Sequence, residues 1–193
     1  MQRAALLLVL FLAGCSFGGD EGTIAVGDLP RIVLQPADLS PAFLRFDEGR
    51  QILVDSPGGR RKDPARFGRE DGWKARYRRA GSQQMSGPIV VESRADVFES
   101  SAGAKDDLDA AREDLKDSEL GWQPIDEPGL GDESFAGTHV EPGLGKGVRY
   151  YQVYWRDSNV TASLALNGFE SRFPLADALA LARKQEKRIA SEN

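Results

Sequence analysis

The chain is poor in the residues that build metal and redox sites. Among 193 residues there is one cysteine, Cys15, one histidine, His139, and two methionines. One thiol excludes an internal disulfide framework, and thiolate metal sites need more sulfur than a single side chain supplies. One histidine likewise leaves an ordinary nitrogen- and sulfur-ligated site short of ligands. A basic excess is missing too. The formal charge is −5, from 25 basic and 30 acidic side chains, which argues against a general nucleic-acid binder. Long apolar runs are absent: Ala4 to Ala13 is the longest, about half the roughly 20 residues that a bilayer-spanning helix requires. With 40% hydrophobic and 28% charged residues, the composition is that of a globular chain long enough for one ordinary domain.

The short run has a different use. Arg3 precedes it and Gly14-Cys15 closes it, an arrangement that fits the positive start and h-region of a secretory signal. The junction Leu12-Ala13-Gly14-Cys15 resembles the lipobox of bacterial lipoproteins. That resemblance implies cleavage before Cys15, a diacylglyceryl group on its sulfur and an acylated amino terminus. Each buried CH₂ contributes about 0.8 kcal/mol, and stable anchoring takes more than one chain, so such a cysteine holds a protein on a membrane without spanning it. An ordinary signal peptide with an incidental cysteine, or a cysteine in a core helix, is the plainer alternative. Ser16 follows the cysteine, so no aspartate stands there to argue for inner-membrane retention. Removal of Arg3 with the signal takes the basic count from 25 to 24 and the formal charge from −5 to −6.

The expected organisation is a signal peptide over 1–14, a lipidated Cys15 with a glycine-rich tether to residue 28, and one domain over 29–193. Ser40-Pro41 reads as a helix start, with a short helix from Pro41 to Phe46. The stretch from Ser56 to Arg69 lacks apolar rhythm and reads as loop. Trp73, Ala75 and Tyr77 alternate with Lys74, Arg76 and Arg78, and Ile89, Val91, Ala95 and Val97 alternate with charged residues. These are two half-buried strands joined through Gly81 to Gly87. Ala104, Leu108, Ala111 and Leu115 recur at helical spacing, with Ser100 or Ser101 as cap and aspartates in the first turns. Val148 to Arg156 and Val160 to Leu166 predict a hairpin about Asp157-Ser158-Asn159. Pro174 opens a C-terminal helix carrying Leu175, Ala178, Leu179, Ala182 and Ile189 on one stripe. Strands clustered between helices, without βαβ alternation, predict an α+β fold with an antiparallel sheet.

Three stretches carry a second resemblance: GLGDES (Gly129 to Ser134), YYQVYWRDSNVTASLAL (Tyr150 to Leu166) and the alanine-rich helix that follows. Together they look like the PsbP-like group of α+β domains, a layout also found in bacterial lipoproteins and in sensor domains outside some bacterial membrane kinases. The likeness implies an antiparallel sheet flanked by helices. It carries no functional residue across, because fold does not determine function.

Candidate chemistry is sparse. EPGLG occurs at Glu127 to Gly131 and again at Glu141 to Gly145, continuing Lys146-Gly147. A P-loop requires a hydroxyl residue after its Gly-Lys pair, which is missing here, and Val148 takes the third glycine position of a dinucleotide motif. Both copies read as turns bracketing a strand near Phe135. GDESFAG around Ser134 lacks the nucleophile elbow, so His139 reads as structural. Asp106, Asp107, Asp109, Glu113 and Asp114 crowd one helix and read as a solvated acidic face. They have neither calcium-loop spacing nor the held separation of a glycosidase pair. No catalytic, cofactor-binding or metal-ligating residue is expected, and no cofactor.

Charge is uneven: residues 60 to 79 hold nine basic and three acidic side chains, residues 106 to 133 two and eleven. Lys74, Arg76 and Arg78 share one strand face. They suit either anionic headgroups and an envelope polymer, or plain cross-strand pairing with Glu92 and Asp96. Tyr150, Gln152 and Tyr154 oppose the apolar face of their own strand and offer a surface for a small or carbohydrate ligand, unless a helix covers it. The candidate site set is therefore Cys15 for lipidation, with Lys74, Arg76, Arg78, Tyr150 and Tyr154 for binding. The expectation is a membrane-anchored extracytoplasmic binding module. Its partners would be the membrane through Cys15 and an envelope polymer or protein, with no nucleic acid. The alternatives are an envelope hydrolase acting through carboxylates and a purely structural envelope protein.

Overall fold

The computed structural model describes residues 23–51, 64–82, 84–125, 128–142 and 147–193. Seven strands form one sheet in the order β1-β2-β3-β7-β6-β5-β4, antiparallel throughout. They are β1 (Leu44–Arg50), β2 (Arg69–Arg78), β3 (Val90–Phe98), β4 (Gln123–Ile125), β5 (Glu133–Glu141), β6 (Val148–Asp157) and β7 (Val160–Phe169). Three helices accompany them: α1 (Leu29–Ile32), α2 (Ser101–Lys116) and α3 (Leu175–Ala190). The expected α+β class is what the chain adopts.

Alternation along the central strands separates two faces. Tyr151, Val153 and Trp155 of β6 join Val160, Ala162, Leu164 and Leu166 of β7 on the apolar face. They continue across β3 and β2 through Val91, Ala95, Val97, Ala75 and Tyr77. Onto this face pack Ala178, Ala182 and Ile189 of α3 and the segment from Ile24 to Leu39. A polar chain runs through the middle. Tyr77 donates to the Leu34 carbonyl (2.6 Å), Leu34 N–H to Ser93 Oγ (2.9 Å), and Ser93 Oγ to Gln185 Oε1 (2.8 Å). Gln185 Nε2 then closes on the Arg94 carbonyl (2.8 Å). Such groups are buried without penalty only because each finds a partner.

Among the described residues, the other face is covered mainly by α2. Ser100 caps that helix, accepting from Gly103 N–H, and Leu108, Ala111 and Leu115 pack on Phe135, with Trp122 and Tyr154 at the margin. Its first turn holds no acid, contrary to the expected aspartates there. The acids begin at Asp106.

Several expectations need correction. Pro41 to Phe46 is not a helix: Ser40 O accepts from Phe43 N–H in a turn, and Leu44 onward pairs with β2 as an edge strand. Six residues hold too few hydrogen bonds to repay helix nucleation, whereas an edge of β2 awaits a partner. The packed body begins before Leu29. Ile24 is buried, its N–H donates to Asn159 Oδ1 (2.9 Å), and Asn159 Nδ2 returns a bond to the Ile24 carbonyl. Of the Ser56 to Arg69 loop, 56–63 lies outside the described residues, Pro64–Phe67 is a 3-10 turn, and Arg69 already belongs to β2. Of the second EPGLG copy, Glu141 to Gly145, Glu141 ends β5 and 143–145 lie outside the described residues, while Gly129 and Gly131 of the first take positive φ.

Candidate functional site

The binding candidates come from two distant stretches of sequence, and register brings them to one face. Arg78 pairs with Val90, Val90 with Asn167, Asn167 with Tyr150 and Tyr150 with His139. One pleat below, Arg76, Glu92, Ala165 and Gln152 form the next row, and Lys74, Arg94, Ser163 and Tyr154 the one after. Side chains repeat on a face every second residue and strands lie about 4.8 Å apart, so the arginine column and the tyrosine column stand roughly 14 Å apart. Between them stand Val90, Glu92 and Arg94 of β3 and the shorter Ser163, Ala165 and Asn167 of β7.

At the arginine column most of the charge is paired. Lys74 is buried at 8% exposure and faces Asp47 at 3.5 Å. Arg76 Nε donates to Glu92 Oε2 at 2.5 Å, with Asp47 3.4 Å away on its other side, and Arg94 pairs with the same Glu92. Asp96 belongs to Arg69, at 2.5 Å, rather than to this set. Of the two expected readings of Lys74, Arg76 and Arg78, cross-strand pairing is found at Arg76 with Glu92, whereas Asp96 is taken by Arg69. Edge strand β1 supplies Asp47, whose carboxylate draws Lys74 down onto the sheet. Arg78 is exposed and lies 5.4 Å from the centre of the Phe46 ring, a cation–π distance.

The tyrosine column divides. Tyr154 stacks on Phe135 at 4.8 Å under the margin of α2 and donates to Gln152 Oε1 at 2.5 Å. Tyr150 lies beyond the helix. Its ring is 6.0 Å from that of His139, which in turn is 5.7 Å from Trp122, so three half-buried rings cross the sheet in a line. Tyr150 donates to Glu141 Oε2 at 3.0 Å. Burial, reinforced by that carboxylate, raises its phenol pKa above the ordinary value, so it remains a neutral donor. Trp122 and His139 were not legible as members of this line. Only the pairing of β5 with β6 sets His139 beside Tyr150.

The acidic helix differs from its expected solvated face at Asp107, and Asp114 Oδ2 is out of water as well. Asp107 is buried and accepts from Thr161 Oγ1 at 2.9 Å, fastening α2 to β7. Asp109 and Glu113 do face outward and pair with Lys105, Arg112 and Lys116. Among the described residues, no group of three or more His, Cys, Asp and Glu side chains is arranged to hold a metal ion. Cys15 lies outside the described residues.

Together these features define an α+β domain with one sheet face sealed and the other partly open. A solved structure shares the arrangement: the extracellular domain of PknH from Mycobacterium tuberculosis superposes with a TM-score of 0.66 over 88% of this chain and 99% of that one, at 10% identity. At that identity the likeness is one of fold. No protein-family model matches the chain, and no curated protein matches it by sequence. No described helix is long and apolar enough to cross a membrane.

Proposed function

We propose that this chain is an extracytoplasmic binding module held on a membrane by a lipidated Cys15. In this reading residues 1–14 are the signal removed on export, and the stretch from Cys15 to Gly22 tethers a body that begins near Ile24. The observation that carries the proposal is the run Leu12-Ala13-Gly14-Cys15, which closes the ten-residue apolar segment Ala4 to Ala13. A fold shared with a domain that is extracellular in its own protein supports the address. Binding rather than catalysis is favoured by the tying of Glu92, Asp96 and Asp107 into partners that serve the fold.

The anchor is tested on protein purified from its own host. Mass spectrometry should find the chain starting at Cys15 and carrying diacylglyceryl and acyl groups. The Cys15→Ala variant should leave the detergent phase for the aqueous phase. An unmodified thiol on native protein would overturn the anchor.

A further inference from the structure

The open half of the polar face is longer than either candidate cluster alone. Trp122, just before β4, lies beside His139 of β5 and Tyr150 of β6, and Asn167 and Val90 extend the row to Arg78 on β2. Five strand steps make this a track of about 24 Å; among the described residues α2 packs on Phe135, Tyr154 and, at the aromatic end of the track, Trp122. Its two ends differ chemically. One carries rings set one pyranose apart, with Glu141 on the Tyr150 hydroxyl. At the other end Lys74, Arg76, Arg78 and Arg94 outnumber Asp47 and Glu92, inside a chain whose formal charge is −5.

We infer that this track binds an acidic glycan laid across the strands, sugar rings on the aromatic end and carboxylates on the arginine end. The inference rests on the binding-module reading and names its ligand. Aromatic rings offer an apolar face to sugar C–H groups, and Tyr adds a polar edge. Guanidinium groups match carboxylates geometrically as well as electrostatically. A neutral glycan would use only the first end, and a small anion only the second. The floor of Ser163, Ala165 and Asn167 leaves room for a chain to pass between, since none of the three projects far from the sheet. Charge complementarity singles out an acidic glycan rather than an apolar protein helix, because Arg76, Arg78 and Arg94 gather at one end.

The test uses the full chain in detergent, titrated with hexagalacturonate as the acidic probe and cellohexaose as the neutral one, following tryptophan fluorescence and calorimetric heat. Hexagalacturonate should bind at low salt, weaken as salt rises, and exceed cellohexaose at least about tenfold. Tyr150→Ala and Arg78→Gln should each weaken it by about tenfold or more. Asn167→Ala, a smaller change in mid-track, serves if either fails to fold by circular dichroism. Lys116→Gln, on the outer side of α2, should leave binding unchanged. Equal affinity for both probes, no binding of either, or insensitivity to these substitutions would overturn the assignment. A photo-crosslinker at position 165 separates the two levels in the native envelope. Glycan capture supports the inference, whereas protein capture overturns the glycan while leaving a binding module. Failure of lipidation is read independently, by mass, at Cys15.

Discussion

The two faces of this sheet solve burial in opposite ways. On the apolar face, β2, β3, β7 and β6 contribute aliphatic and aromatic side chains that α3 and the Ile24 to Leu39 segment cover completely, with Trp155, Leu164 and Phe173 at the centre. On the polar face a single helix covers about half the sheet. It is held by a small cluster around Phe135 and by Asp107 to Thr161 and Arg112 to Glu133, while Arg69 and Asp96 pair beside it between β2 and β3. Stability that scales with buried apolar area belongs to the first face. The second trades that stability for an open surface bearing chemistry.

Removing mass from each face should break the comparison most sharply. Trp155→Ala empties the centre of the sealed face and should cost about 3–5 kcal/mol, read from denaturant unfolding. A loss below about 1 kcal/mol would mean that the face is not close-packed. On the polar side the largest loss should come from charge rather than volume. Asp96→Ala leaves Arg69 buried without its partner and should cost about 3 kcal/mol, whereas the double change Asp96→Leu with Arg69→Met should recover much of it. Equal losses for the single and double variants would show that the pair itself, not the stranded charge, sets the stability.

Next comes the seat of α2. In an exposed helix, Gly→Ala stabilises by up to about 1 kcal/mol. At Gly103, however, a Cβ would stand 2.1 Å from the Phe67 carbonyl oxygen, a backbone atom that cannot turn aside. Gly103→Ala should therefore destabilise by about 1–3 kcal/mol and loosen α2 selectively, seen as faster hydrogen exchange there than in β7. A stabilised variant would show that the helix is not seated against the 3-10 turn.

The smallest effect concerns Asp157 at the end of β6. Burial, then Asp132 and Glu186, raise its carboxyl pKa above 3.8, and the bond from Asn193 only partly opposes them. A raised carboxyl binds its proton more tightly folded than unfolded. This group's contribution is thus most favourable in acid and is lost as pH rises through the folded pKa. Asp157→Asn should stabilise at pH 7, by less than about 1 kcal/mol given partial solvent screening. The gain should fade below the unfolded carboxyl range. A gain independent of pH would place its origin elsewhere.

Much of the sealed face was legible because it obeys simple periods. Alternation in β2, β3, β6 and β7 and the stripe of α3 mark residues that must leave water, and each period names its face without knowledge of neighbours. Gln185 and Ser93 were invisible for the same reason: a polar residue inside an apolar stripe reads as a lapse until its partner, 92 positions away, is seen. The Pro41 to Phe46 error has a related origin. The capping signal at Ser40-Pro41 is local, while the strand that Leu44 begins exists because β2 offers it an edge. Lys74 and Asp107, read as solvated, are buried because Asp47 and Thr161 lie on other elements.

By itself the sequence determined the class of fold, the sides of its principal strands and helices, and a lipobox-like start, since apolar periodicity and short motifs are properties of neighbouring residues. Only the tertiary structure decided which charges are spent on one another, and that Trp122, His139 and Tyr150 stand in line with Arg78. Register across antiparallel strands is the physical reason: it joins residues tens of positions apart through backbone hydrogen bonds that no local pattern encodes.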